Sequence, residues 1–147
     1  MKNSKGQASV ELMVLLAALL AFLLLFMPVI ETSRRQTDFL VAKQAQQIAL
    51  QKIAGAADEA YFLGKATSFS GTVFFPADNT TLSFEEGSLK MVFQTGDRNG
   101  ELFRKTRFSQ LLDGTAPWAS RTFSKGQHSF SVNYSEQGAG NLVLSIE

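Results

Sequence analysis

The sequence predicts an α+β chain: one long N-terminal helix, then a small head built on an antiparallel β-sheet or β-sandwich. Three observations predict it. Leu12 to Ile30 is 19 residues without a charge. The stretch that follows, as far as Leu63, spaces apolar residues mostly by three and four, the helical repeat. From about Ala66 the repeat changes to two, the mark of half-buried strands.

As a helix rising about 1.5 Å per residue, Leu12–Ile30 extends roughly 28 Å, close to a hydrocarbon core of about 30 Å. A membrane-crossing helix is the first reading. The apolar part of a cleavable secretory signal is shorter, about 7–15 residues, and a small-residue cleavage site follows it. Here helix formers continue from Ala42 through Ile53 instead. Val41, Ala45, Ile48, Ala49, Ile53, Ala56, Ala60 and Leu63 fall on one apolar face. Gly64-Lys65 reads as the C-terminal cap. A helix from Gln7 to Leu63 would measure about 85 Å, more than a head of this size can bury. Its first half therefore needs lipid or neighbouring helices. Ala17, Ala18 and Ala21, and again Ala42, Ala45 and Ala49, leave little bulk to hinder close helix approach. Alanine is also simply the strongest helix former. Pro28 removes one helical hydrogen bond and marks a kink.

The residues before the apolar run carry the most specific signal. Lys2 and Lys5 make the leader basic, and Glu11 sets a carboxylate at the start of the apolar helix. Lys5, Gly6, Gln7, Ser9, Glu11 and Leu15 together resemble the class III signal peptide of archaeal type IV pilins and archaellins. The resemblance implies cleavage between Gly6 and Gln7 by a membrane-embedded prepilin peptidase on the cytoplasmic side. It implies that residues 1–6 are a leader, 7–64 the helix (hydrophobic over about 10–30) and 65–147 a β-rich extracellular head. It also implies that Glu11 neutralises the free amino group of a neighbouring subunit in a filament. That chemistry is sensible, because an α-amine of pKa about 7.7–8.0 is largely protonated at neutral pH. Two charges paired in apolar surroundings cost far less than either alone. Lys2 and Lys5 precede the apolar run while Arg34 and Arg35 follow it, so charge leaves the orientation open. The resemblance places the N-terminus in the cytoplasm and the head outside. Losing the leader leaves 12 basic side chains against 13 acidic.

In the head, Leu89, Met91 and Phe93 alternate, as do His128, Phe130, Val132 and Tyr134, and then Leu142, Leu144 and Ile146. Turn compositions interrupt at residues 76–79, 85–87, 96–100 and 137–141. About six strands are expected, with a less regular stretch from Leu111 to Trp118. Nine phenylalanines from Phe69 onward, with Trp118 and Tyr134, are expected to fill the core. Asn79-Thr80-Thr81 and Asn133-Tyr134-Ser135 fit the N-glycosylation pattern, which makes Asn79 and Asn133 candidate acceptors if the head is extracellular.

Other chemistry finds no support. The sequence has no cysteine and one histidine, so neither a thiolate metal site nor a histidine cluster is expected. His128 has no nucleophile signature beside it. Asp97 lacks the carboxylate spacing of a calcium loop, and Glu85-Glu86 is a solvated turn. No phosphate-binding glycine loop is present. A net charge of +1 argues against nucleic-acid binding. The sequence thus reads as no enzyme, with no cofactor and no metal. It reads as a processed pilus-like subunit serving adhesion or surface contact. Its expected partners are the peptidase, the assembly machinery, membrane lipid before assembly and further copies of itself. An archaellin or a minor pilin is a variant of this reading. The alternative of another class is a single-pass anchored binding module that does not polymerise.

Overall fold

The computed structural model describes residues 4–64, 67–113, 116–134 and 141–147, with side chains from Ser9 onward. Helix α1 covers Ser4–Leu63 and carries Pro28 inside it. Gly64 ends the helix as predicted. Its φ is 74°, and its N–H donates to the Ala60 carbonyl at 3.0 Å, a left-handed termination that glycine adopts without strain. Lys65 lies outside the described residues. The chain divides into two compact units, Met1–Asp38 and Phe39–Glu147. The last part of α1 therefore belongs to the same unit as the strands.

Nine strands follow among the described residues: β1 Ser68–Phe75, β2 Thr80–Glu85, β3 Ser88–Thr95, β4 Arg98–Lys105, β5 Gln110–Asp113, β6 Ala116–Pro117, β7 Ser120–Phe123, β8 Gly126–Tyr134 and β9 Asn141–Ile146. They form a five-stranded sheet in the order β1-β8-β9-β5-β6 and a four-stranded sheet in the order β4-β3-β2-β7. The molecule is thus α+β, with sheets that are antiparallel except where β5 runs parallel to β9.

The strand count exceeds the six expected, and one turn is shorter than expected. The stretch from Leu111 to Trp118 contains β5 and β6, too short to show a period. The expected turn over residues 96–100 narrows to Gly96-Asp97, and Arg98–Gly100 already belongs to β4. The Glu86-Gly87 turn is a two-residue hairpin between β2 and β3, with φ of 47° and 73°. Positive φ at both central residues gives the twist that a tight hairpin needs. Of the turn predicted over 137–141, residues 137–140 lie outside those described.

The core joins the last turns of α1 to both sheets. Ile53, Ala54, Ala57 and Ala60 pack with Phe75 of β1, Leu82 of β2, Leu89 and Met91 of β3, and Val132, Leu142 and Leu144 of β8 and β9. The expected alternation holds at Leu89, Met91 and Phe93, and at Leu142, Leu144 and Ile146, all buried. The predicted helix face is kept in part, with Ala49, Ile53 and Ala60 buried and Ala45 and Ala56 half-buried. Val41, Ile48 and Leu63 are 51–60% exposed, while Ala42, Gln46, Ala49, Leu50, Ile53, Ala54, Ala57 and Ala60 form the buried stripe. Small side chains on that stripe let the bulky strand residues approach the helix backbone, which close packing favours over large residues on both sides. Two of the nine expected core phenylalanines, Phe74 and Phe103, are exposed, and Phe69 and Phe84 are half-buried.

Gly100 shows how tight the fit is. It pairs with Phe93 across β3–β4, and a Cβ built on it would lie 2.2 Å from Phe93 Cζ. Phe93 is buried and stacked on Phe39 at 6.1 Å between ring centroids, so its ring has nowhere to retreat. Gly100→Ala should destabilise the protein by about 1–3 kcal/mol. A thermal melt of the detergent-solubilised full chain checks this, and an unchanged midpoint would contradict the close contact.

Candidate functional site

The feature that sets the chain apart is the first part of α1. Every residue from Ser9 to Asp38 is exposed. Val10 through Ile30 includes sixteen large apolar side chains at 46–74% exposure. They are consecutive enough to cover all sides of the helix. Phe22 and Phe26, one turn apart, rest their rings together at 4.2 Å. A helix apolar on every side is stable only in an apolar medium, which is lipid or other helices. α1 is long and apolar enough to cross a membrane.

Glu11 opens this segment as an exposed carboxylate between Val10 and Leu12. The backbone of Gly6 and Gln7 lies in the first turns of α1, and their side chains are outside those described. Met1 to Asn3 lie outside the described residues altogether. Beyond Ile30 the helix turns polar. Thr32 Oγ1 donates to the Pro28 carbonyl at 2.8 Å, and Thr37 Oγ1 to that of Ser33 at 3.0 Å. Both hydroxyls are thus satisfied by the helix's own backbone, the arrangement that suits a hydroxyl near an apolar segment.

The head places the remaining sequence candidates. Asn79 is exposed in the turn between β1 and β2, at φ 58°. Asn133 is exposed on β8, between β1 and β9 in the sheet. Ser135 of its pattern lies outside the described residues. His128 packs against the Phe75 and Phe123 rings, with its ring nitrogens at 3.0 and 3.2 Å from the Ser124 and Glu147 carbonyls. It bridges β8 to its neighbours. Asp97 sits in the β3–β4 turn. Among the described residues, no three His, Asp or Glu side chains gather as a metal site.

Charges on the head are mostly solvated. Arg121 hydrogen-bonds Asp113 and lies over the Trp118 ring, and Arg98 lies over Phe39. Lys90 meets Glu101 at 2.8 Å across β3–β4. Its hydrogen bond to that carboxylate, and then the carboxylate's charge, raise the ammonium above the usual lysine range. The pair is solvent-exposed, so it contributes little to stability.

Sequence reasoning passed over one polar contact. Gln46 is fully buried in the alanine stripe, and its Nε2 donates to Thr80 Oγ1 at 2.7 Å. Thr80, also fully buried, passes its own proton to the Ala77 carbonyl at 3.1 Å. The pair fastens the β1–β2 turn to the helix. The signal was present as a glutamine at a three- and four-residue step from Ala42, Ala49 and Leu50. Gln46→Met should cost about 1 kcal/mol, because the shape is kept while one buried hydrogen bond is lost. Chemical denaturation of the full chain would measure it, and a loss near zero would mean the bond contributes nothing net.

The chain matches no protein-family model, no curated protein and no solved structure. The arrangement of a long apolar N-terminal helix before a β-sheet head is compatible with a pilin-like fold.

Proposed function

We propose that the chain is the precursor of a structural subunit of an archaeal type IV pilus-like surface filament. In this reading a prepilin peptidase removes residues 1–6, and the mature chain begins at Gln7. The helix waits in the membrane with the head outside, then joins other copies through its apolar segment. The observation that carries the reading is the helix from Val10 to Ile30, apolar on every side and exposed throughout. In a filament core, neighbouring helices would replace lipid around it. The new α-amine of one subunit would meet Glu11 of another, each removing the cost of burying the other's charge. Pro28, with no N–H to donate, is where the packed helix would yield. The heads would cover the filament and make its contacts with surfaces, and Asn79 and Asn133 would carry glycans there. The subunit is non-enzymatic.

Two measurements test this together. Mass spectrometry of the protein recovered from its own cells should show Gln7 as the first residue. Electron microscopy should show thin surface filaments whose digest contains this chain. An intact Met1 on a dispersed membrane protein would instead support a single-pass anchored module.

A further inference from the structure

We propose that Asn79 accepts its glycan only before the head folds, and that the folded head withholds the acceptor. It rests on the head lying outside the cell, as in the filament reading, while the experiment below depends on neither. The acceptor pattern needs an asparagine and a hydroxyl two residues on, so a transferase must take hold of three consecutive residues. In the folded head the three are offered unequally: Thr80 is buried, and Thr81 is half-buried with its hydroxyl already engaged at the surface. Asn79 is exposed. Thr80 is fully buried, with its hydroxyl held between Gln46 Nε2 at 2.7 Å and the Ala77 carbonyl at 3.1 Å. Thr81 supplies the hydroxyl of the pattern, and that hydroxyl is hydrogen-bonded to Thr122 Oγ1 at 3.0 Å across β2–β7.

Presenting the tripeptide would require β2 to peel from β7 and Thr80 to leave the core. Gln46, whose Oε1 has no hydrogen-bond partner among the described residues, would then be buried with its amide nitrogen unpaired as well. Synthesis order opens the necessary interval. Thr122 lies 41 residues beyond Thr81, so the acceptor emerges well before its lock exists. The chemistry needs a lipid-linked glycosyl diphosphate. Asn79 Nδ2 bonds to the sugar C1, the C1–O bond to the diphosphate breaks, and one amide proton leaves with the displaced diphosphate. Nothing is oxidised or reduced. Asn133 is held more firmly, paired on both sides with Ser68 and Val143.

The test varies only the order of addition. The full chain is synthesised cell-free into lipid nanodiscs with a purified single-subunit oligosaccharyltransferase and its lipid-linked donor. The enzyme is present either from the start or only after synthesis is complete. A peptide spanning Thr72–Glu86 reports that the enzyme is active. Peptide mapping should find the glycan on Asn79 in the first order, absent from Asn79→Gln, and reduced at least about tenfold in the second. Thr122→Val combined with Gln46→Leu should raise late modification several-fold. Equal modification in both orders would overturn the proposal. So would a modified peptide beside an unmodified chain in both orders, or no rise in the double variant.

Discussion

Glu11→Ala is expected to abolish filaments while leaving the head folded. The carboxylate lies at the apolar start of α1, remote in sequence from every residue of the head's core. Removing it therefore leaves head stability unchanged. In the proposed filament it leaves each neighbour's α-amine without a counter-charge in apolar surroundings. Breaking a buried pair from one side costs about 3–5 kcal/mol. At every subunit contact, that corresponds to more than about a hundredfold loss of association. Filament yield by electron microscopy, set beside the thermal melt of the solubilised variant, reads the two effects separately. Normal filaments would refute the pairing, and a melted head would show that Glu11 matters for folding instead. Glu11→Gln should fail similarly, because the amide cannot neutralise an ammonium.

Phe75→Ala should do the opposite, destroying the head while leaving the apolar helix able to enter a membrane. Phe75 is fully buried on β1 and packs its ring against Phe123 at 5.4 Å and His128 at 5.3 Å. It thereby links the two sheets. Truncating a buried phenylalanine costs about 3–5 kcal/mol, against a total stability of about 5–15 kcal/mol. The melting midpoint should fall by about 12 °C or more. Its neighbour Phe74 points outward at 52% exposure, and Phe74→Ala should stay within about 0.5 kcal/mol. If the two variants melted alike, the assignment of inner and outer faces on β1 would be wrong.

That pair also shows what the sequence could and could not disclose. Helix and strand periods gave the α+β class, the end of α1 at Leu63 and the buried faces of β3 and β9. They could not separate Phe74 from Phe75, because two adjacent phenylalanines fit either face of a strand. The helix face was legible in part: Ala49, Ile53 and Ala60 are buried as the spacing predicts, whereas bulky Val41 and Ile48 face outward and Ala54 and Ala57 take their place against the sheets. β5 and β6 are shorter than any readable period, and the parallel pairing of β5 with β9 depends on residues about thirty apart. Glu11, Pro28 and the two asparagines could be named from sequence. Gln46 could be seen on the buried helix step, but its partner Thr80, 34 positions away, could not.

β9 lies in the interior of the five-stranded sheet, between β8 and β5, although it is the last strand along the chain. β1, the first strand, must likewise wait for β8. The sheet can therefore not be assembled progressively from one end. Beside the local β5–β6 and β8–β9 hairpins it needs sequence-distant pairings, β1 with β8 and β5 with β9, a topology associated with slow folding. A growing polypeptide with this plan carries the apolar residues of β1 without their sheet neighbour until β8 has been made.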